Sequence, residues 1–350
     1  MKAVIIGGGT GGHVFPAKAI AERLIKDSHE IYWIGKKESL EERVAKDLKI
    51  NFYALNTYGF RGKNIFLKFL SIWTMLLSFY SSLVLLKKLG PNFVFSFGGY
   101  TSLPIGLASK VLNISLFIHE QNSVMGSANK ILNLFSNLTF LGFPLPDHKG
   151  KYVLSGNPLR KEMIKTIKRE ETKESLVILG GSQGSLQLND LVIKSLKNLK
   201  GLKDWHIYHQ CGKLDFEEVD SFYLRSGLNY TVKDFFPNIE DYYNKASIII
   251  SRSGALTVSE ILHFEKPSIF LPLPWAIDNH QFHNAIHLSS IGLSEVIEAK
   301  DENSDILTQK LQELIFSKEK RDKMSDKAKL YEKRDSVSII ISSLYESLNK

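Results

Sequence analysis

Short apolar runs alternate with stretches of helical periodicity along almost the whole chain. In the first half, Lys2–Ile6, Glu30–Ile34, Phe93–Ser96, Leu116–Ile118 and Leu138–Leu141 have the length and the branched or aromatic content of strands. A helix from about Pro16 to Lys26 follows the first of them. The second half repeats the pattern, with strands expected at Leu176–Leu179, His206–Gln210, Tyr230–Val232, Ile248–Ser251 and Ser268–Leu271. A charged helix from Lys318 to about Arg334 and an amphipathic one over Val337–Leu348 close the chain. Strands that alternate with helices predict parallel βαβ units, so the fold class is α/β. Ser155-Gly156-Asn157-Pro158 reads as a turn between two domains, 1–156 and 157–335.

Each half contains a glycine-rich turn between a strand and a helix. The first is Gly7-Gly8-Gly9-Thr10-Gly11-Gly12-His13 and the second Gly180-Gly181-Ser182-Gln183-Gly184. Glycine permits a tight turn and lets main-chain N–H groups approach an anion. Two such turns predict twin doubly wound parallel-sheet domains facing a shared cleft. Parallel sheets bind ligands beyond the carboxyl ends of their strands. The chemically interesting residues collect there: Gly98-Gly99-Tyr100, His119 to Asn122, Ser251 to Glu260 and Pro272 to Gln281.

The length of 350 residues suits two cores, and 43% hydrophobic with 23% charged residues describes a folded protein. Lys and Arg outnumber acids by 45 to 37, and the pI near 9.2 favours an anionic partner. The lone Cys211 permits no intrachain disulfide, and nothing resembling a signal peptide precedes the first strand; a cytoplasmic protein is expected. Phe69 to Leu86 is a run of eighteen residues without a charge, at the lower limit of a membrane span. It contains five hydroxyl residues and lies between strands of one sheet, so crossing a bilayer would strand the next β-strand on the wrong side. A helix with a greasy outer face, flanked by Arg61, Lys63, Lys68, Lys87 and Lys88, fits an anionic membrane surface better. A fully buried core helix is the plainer alternative.

Gly7, Gly9 and Gly12 fit the dinucleotide pattern, but the second strand ends in Gly35-Lys36-Lys37 rather than an acid, which disfavours NAD and leaves NADP, with a lysine on the 2′-phosphate, as a minor option. His13 reads either as a neutral base at a helix N-terminus or as a simple cap. The second turn reads as a phosphate cradle or as a plain βα turn. Without a G-x-x-x-x-G-K-[ST] run, a P-loop is excluded. Glu260 stands in the helix after Ser253-Gly254, placed for two ribose hydroxyls or for solvent. His280, His283 and His287 lack matching ligands, so no metal is expected.

With these motifs assembled, the chain resembles the MurG family of bacterial peptidoglycan glycosyltransferases, of glycosyltransferase family 28. The likeness rests on Gly7 to His13, Phe97 to Tyr100, His119 to Asn122, Gly156 to Arg160, Gly180 to Gly184, Arg252 to Glu260, and Asp278 to Gln281 with Asn284-Ala285. It implies the GT-B fold, with two Rossmann-like domains and a cleft between them, and with helix 336–350 packed back on the first. It implies inverting transfer of N-acetylglucosamine from UDP-GlcNAc to lipid I, without a cofactor; a UDP-GlcNAc 2-epimerase is the nearest rival. By the same resemblance His13 would be the base, with Tyr100 and Glu120 on the acceptor side. Thr10, Gly11, Gly12 and Asn122 would meet the donor sugar or diphosphate. Arg160 and Ser182 would meet phosphate, Phe236 would mark the uracil site through its backbone, Ala255, Leu256, Thr257 and Glu260 would hold phosphate and ribose, and Gln281 would fix sugar hydroxyls. The implied partners are UDP-GlcNAc, lipid I and an anionic membrane surface, with no nucleic acid. The implied location is peripheral, on the cytoplasmic face of the inner membrane.

Overall fold

The computed structural model describes residues 1–55, 65–145, 150–165, 173–181 and 183–349, with the backbone alone at 65–72, 165 and 277. The chain divides into two compact units, Met1–Arg160 with Arg334–Lys350, and Lys161–Lys333.

The first unit holds a seven-stranded sheet: β1 (Lys2–Ile6), β2 (Glu30–Gly35), β3 (Asn51–Ala54), β4 (Phe93–Ser96), β5 (Ser115–Glu120), β6 (Leu138–Leu141) and β7 (Tyr152–Leu154). Their order is β3-β2-β1-β4-β5-β6-β7, and every neighbouring pair is parallel. The central strands are buried on both faces, which is why they read as unbroken apolar runs. Ala3, Ile5, Phe93 and Phe95 face one core, shared with Val14, Ile20 and Leu24 of the helix Gly11–Lys26 and with Ile340, Ile341 and Leu344 of the helix Ser336–Leu348. Val4, Ile6, Val94 and Ile118 face the other, with Leu86 and Leu89 of the helix Ile65–Leu89.

That long helix is amphipathic in an unusual sense. Ser78, Ser82, Leu86 and Leu89 are buried, while Trp73, Leu76, Leu77, Tyr80 and Val84 are each more than half exposed. The two buried hydroxyls bond the helix's own carbonyls, Ser78 to Thr74 and Ser82 to Ser78, so they ask nothing of the core. Phe79 is half-buried against the core. Arg61 and Lys63, and the side chains of Lys68 and Phe69, lie outside the described residues. Among the described residues no helix is long and apolar enough to cross a membrane.

The second unit holds six parallel strands: β8 (Ser175–Leu179), β9 (His206–Gln210), β10 (Asn229–Lys233), β11 (Ile248–Ser251), β12 (Ser268–Phe270) and β13 (Ser294–Val296), in the order β10-β9-β8-β11-β12-β13. Leu176, Ile178, Ile207, Ile248 and Ile250 build its core with Leu188, Leu196 and Leu311 from the flanking helices.

In both sheets the strand order reverses at one place, between β1 and β4 and between β8 and β11. A crevice opens there because the connecting helices leave on opposite faces. Each glycine-rich turn stands at such a reversal.

Candidate active site

At the reversal in the first unit, Thr10 is extended (φ −133°) and its carbonyl accepts the N–H groups of His13 and Val14 at 3.1 and 3.2 Å. The helix therefore begins at Gly11, earlier than Pro16. His13 falls in the first turn of that helix. Its Nδ1 lies 3.1 Å from the Gly8 carbonyl and 3.4 Å from Thr10 Oγ1. A carbonyl only accepts, so Nδ1 carries a hydrogen and, in the neutral ring, Nε2 holds the lone pair. The edge bearing Nε2 faces Gly98, where a Cβ would stand 3.3 Å away. Gly98 and Gly99 both have positive φ, +92° and +95°, and a Cβ on Gly99 would come within 2.7 Å of the Gly8 carbonyl oxygen. The two glycine loops thus pack backbone on backbone. Gly11 and Gly12 open the helix beside them, and Tyr100 next to them is exposed.

A buried carboxylate outside the expected set completes this packing. Glu41 of the helix Leu40–Asp47 accepts the Lys36 N–H at 3.1 Å, and its Oε1 would lie 2.7 Å from a Cβ on Gly8.

At the end of β5, Glu120 is buried and accepts four hydrogen bonds from its own loop. Oε1 takes the N–H and the Nδ2 of Asn122, each at 3.1 Å; Oε2 takes the Gly126 N–H and Asn129 Nδ2, each at 2.9 Å. The carboxylate anchors the loop and aims Asn122. His119 before it is buried, stacked on Phe97, and bonded through Nε2 to the Gly156 carbonyl at 3.1 Å. Burial pushes its pKa down to about 4, so the ring is neutral. Arg160 lies with its guanidinium 5.2 Å from the centre of the Phe15 ring.

In the second unit the turn after β8 contains Gly181 and Gly184, with φ +83° and +77°. Ser182 lies outside the described residues. Ser185, which ends the turn, accepts from the buried Arg252 at 3.2 Å; Arg252 also binds the Leu271 carbonyl and Glu302, both at 2.9 Å. Cys211 is buried and its thiol pushed up to about 11 by burial, which keeps it from acting as a nucleophile. Phe236 is buried and stacked on Tyr242 at 3.6 Å between ring centres. Its N–H is bonded to Gln210 Oε1 at 2.9 Å.

Across the reversal, Gly254 is extended and caps the helix Ala255–His263, so Ala255, Leu256 and Thr257 present the first-turn N–H groups that attract phosphate. Glu260 is buried and accepts the Tyr243 hydroxyl at 2.9 Å, which holds the carboxylate in place. Ser253 donates to the Gln281 carbonyl at 2.8 Å, Asn284 donates to the Ser253 carbonyl at 3.1 Å, and Gln281 Oε1 accepts the Leu273 N–H at 3.0 Å. Gln281 is thereby tied to the strand-end loops. Among the described residues no three His, Cys, Asp or Glu side chains are grouped to hold a metal.

His13 stands at the reversal in the first unit and Ala255, Leu256, Thr257 and Glu260 at that in the second, while Asn122 follows β5 and Phe236 follows β10, one and two strands away. Residues 3–140 match the glycosyltransferase family 28 N-terminal domain, and residues 175–340 match the family's C-terminal domain. The chain belongs to glycosyltransferase family 28. This family 28 chain is 38% identical, over 98% of its own length and 97% of the relative's, to the UDP-N-acetylglucosamine--N-acetylmuramyl-(pentapeptide) pyrophosphoryl-undecaprenol N-acetylglucosamine transferase of Sulfurihydrogenibium sp. (strain YO3AOP1). It is 40% identical to the enzyme of the same name from Wigglesworthia glossinidia brevipalpis, over 86% of this chain and 85% of that one. Among solved structures, MurG of Acinetobacter baumannii is similar with a TM-score of 0.84 at 28% identity, covering 99% of both chains. The UDP complex of S. aureus MnaA is similar in fold alone, with a TM-score of 0.69 at 15% identity over 99% of this chain and 97% of that one. The family 28 fold is GT-B, two α/β units each built on a parallel sheet.

Proposed function

We propose that this protein transfers N-acetylglucosamine from UDP-GlcNAc to the C4 hydroxyl of undecaprenyl-pyrophosphoryl-MurNAc-pentapeptide, lipid I, and so makes lipid II. The observation that carries the reading is a division of chemical equipment. The reversal in the first unit presents an imidazole whose Nδ1 is held by a carbonyl, and that in the second presents helix and turn N–H groups with a buried carboxylate. The relatives' names support the choice of substrates.

The acceptor oxygen forms the new bond to C1 of the sugar as the bond from C1 to the diphosphate breaks. The electron pair leaves with UDP, and the hydroxyl proton passes to His13 Nε2. Attack opposite the leaving group inverts the centre, so an α donor gives a β product. The turn Gly180 to Gly184 and the first turn of the helix Ala255–His263 face the charge that develops on the diphosphate. Glu260 takes the ribose hydroxyls, Gln281 and Asn122 the sugar, and Arg160 and Ser182 the phosphate region. Tyr100 lines the acceptor side.

The acceptor's polyprenyl chain places the reaction at a membrane, and the exposed stripe Trp73, Leu76, Leu77, Tyr80 and Val84, with Lys87 and Lys88 at its end, supports peripheral binding to an anionic cytoplasmic surface. The deciding assay is UDP release from UDP-GlcNAc with and without a lipid I analogue. Release that depends on the analogue is expected; conversion of the donor at C2 without acceptor would overturn the assignment. Trp73, Leu77 and Tyr80 changed together to Ser should release the protein from anionic liposomes and leave UDP affinity unchanged. Retention on the liposomes would refute the stripe.

A further inference from the structure

One side chain joins the two ends of the proposed donor cradle. Gln210, the last residue of β9, is buried. Its Nε2 donates to the Gly181 carbonyl at 2.8 Å, and its Oε1 accepts the Phe236 N–H at 2.9 Å. These partners fix which way the amide points, because one can only accept and the other only donate. Gly181 belongs to the turn assigned to the diphosphate, and Phe236 to the turn assigned to the base. β9 lies between β8 and β10, so a side chain at its end is placed to reach both turns.

The surrounding backbone reinforces the link. The Gln210 carbonyl accepts the Gly180 N–H at 3.0 Å, and the Cys211 and Gly212 N–H groups bond the Lys233 and Asp234 carbonyls at 3.1 and 3.2 Å. Gly181 itself is not held by packing, since nothing lies within 4 Å of where its Cβ would be. Its carbonyl accepts from Gln210 Nε2 and, within the turn, from the Gly184 N–H at 3.2 Å, and these two bonds set its orientation.

We infer that Gln210 is a positioning residue that fixes the base turn and the phosphate turn relative to each other, so that both ends of a nucleoside diphosphate are met at once. The inference rests on the donor assignment made above. Its advantage is preorganisation: a ligand spanning both turns binds without paying to order them, whereas a nucleoside that touches one turn gains little.

The test titrates UDP and uridine against the full chain and two variants. Gln210→Glu keeps an oxygen for the Phe236 N–H but sets a second oxygen against the Gly181 carbonyl; Gln210→Met keeps the volume and loses both bonds. UDP affinity should fall about tenfold in both, while uridine stays within about twofold in Gln210→Glu. The KM for UDP-GlcNAc should rise with kcat changed less than about threefold. Unchanged UDP affinity in Gln210→Glu would overturn the inference, as would equal losses of UDP and uridine together with a lowered Tm. If neither variant folds, amide exchange on the unaltered protein decides: a Phe236 N–H that is protected without ligand supports the link, and one that exchanges freely refutes it. An unaltered protein that binds no UDP would remove the donor assignment first, and the inference with it.

Discussion

At the end of β1, Gly8 is pressed between Glu41 and Gly99; at the end of β8, Gly181 stands clear of its neighbours and is held by an amide from the next strand. The two turns have nearly the same residues and the same place in their sheets. Gly8 is fixed by contact and Gly181 by hydrogen bonds, although Gly180 and Gly184 on either side of Gly181 pack against the Gln210 and Cys211 carbonyls. A turn that must aim a base at a reacting oxygen gains from rigid packing. A turn that must offer N–H groups to a diphosphate needs open space in front of it and therefore support from behind. On the proposed assignment, the difference would separate a unit that carries chemistry from one that carries recognition.

The largest expected effect breaks that division if it fails. His13→Ala should lower kcat by roughly 10²–10⁴ and leave UDP affinity alone, as loss of a general base does. A variant that turns over normally would move the proton to another group.

Acid should affect both units through one buried ring in each. His119 and His209 are pushed by burial to about 4 and about 3, from an ordinary 6.5. The unfolded chain therefore takes up the protons first. Stability is whole above pH 6.5 and falls as the pH drops toward those values, by about 1.4 kcal/mol per unit for each ring. Thermal unfolding between pH 7 and 4.5 should show this slope, and a flat profile would show that the rings titrate normally.

Glu260→Ala should mirror His13→Ala, weakening UDP binding by about 1–3 kcal/mol by calorimetry, the loss expected for a charged hydrogen-bond acceptor. Unchanged affinity would remove Glu260 from the ribose. The smallest effect sharpens the comparison of the turns. Gly181→Ala meets only a left-handed φ and should cost about 1 kcal/mol, whereas Gly99→Ala adds a backbone clash and should cost about 3 kcal/mol. Equal costs, measured by denaturant unfolding, would mean that the two turns are held alike.

What the sequence shows of this fold follows from burial. Val4-Ile5-Ile6 and Ile248-Ile249-Ile250 announce themselves because both faces of a central parallel strand are covered. β3, β7 and β13 pass unnoticed: they are edge strands of only three or four residues, too short for a run to stand out. The helix at Gly11 is masked by two glycines and Pro16, residues that argue against a helix although the Thr10 carbonyl closes its first turn. The motif residues at the strand ends are legible because glycines and hydroxyls cluster there without an obvious packing reason. Their supports are not. Glu41 looks like its exposed neighbours on a charged helix, Tyr243 like any core aromatic, and Gln210 like the polar end of a strand. Their roles depend on partners far along the chain, such as Phe236 for Gln210 and Glu260 for Tyr243.

The helix Ser336–Leu348 contributes Ile340, Ile341 and Leu344 to a core whose other members begin at Ala3. On the ribosome, the unit started first is therefore finished last. Its sheet must wait, with one apolar flank uncovered, while all of residues 161–333 are synthesised, roughly 10–35 s at ordinary elongation rates. The second unit is a continuous segment and can close within that interval. For a protein that also carries a greasy helix, the wait is a period in which nascent chains can associate with one another or with a membrane before the last helix arrives.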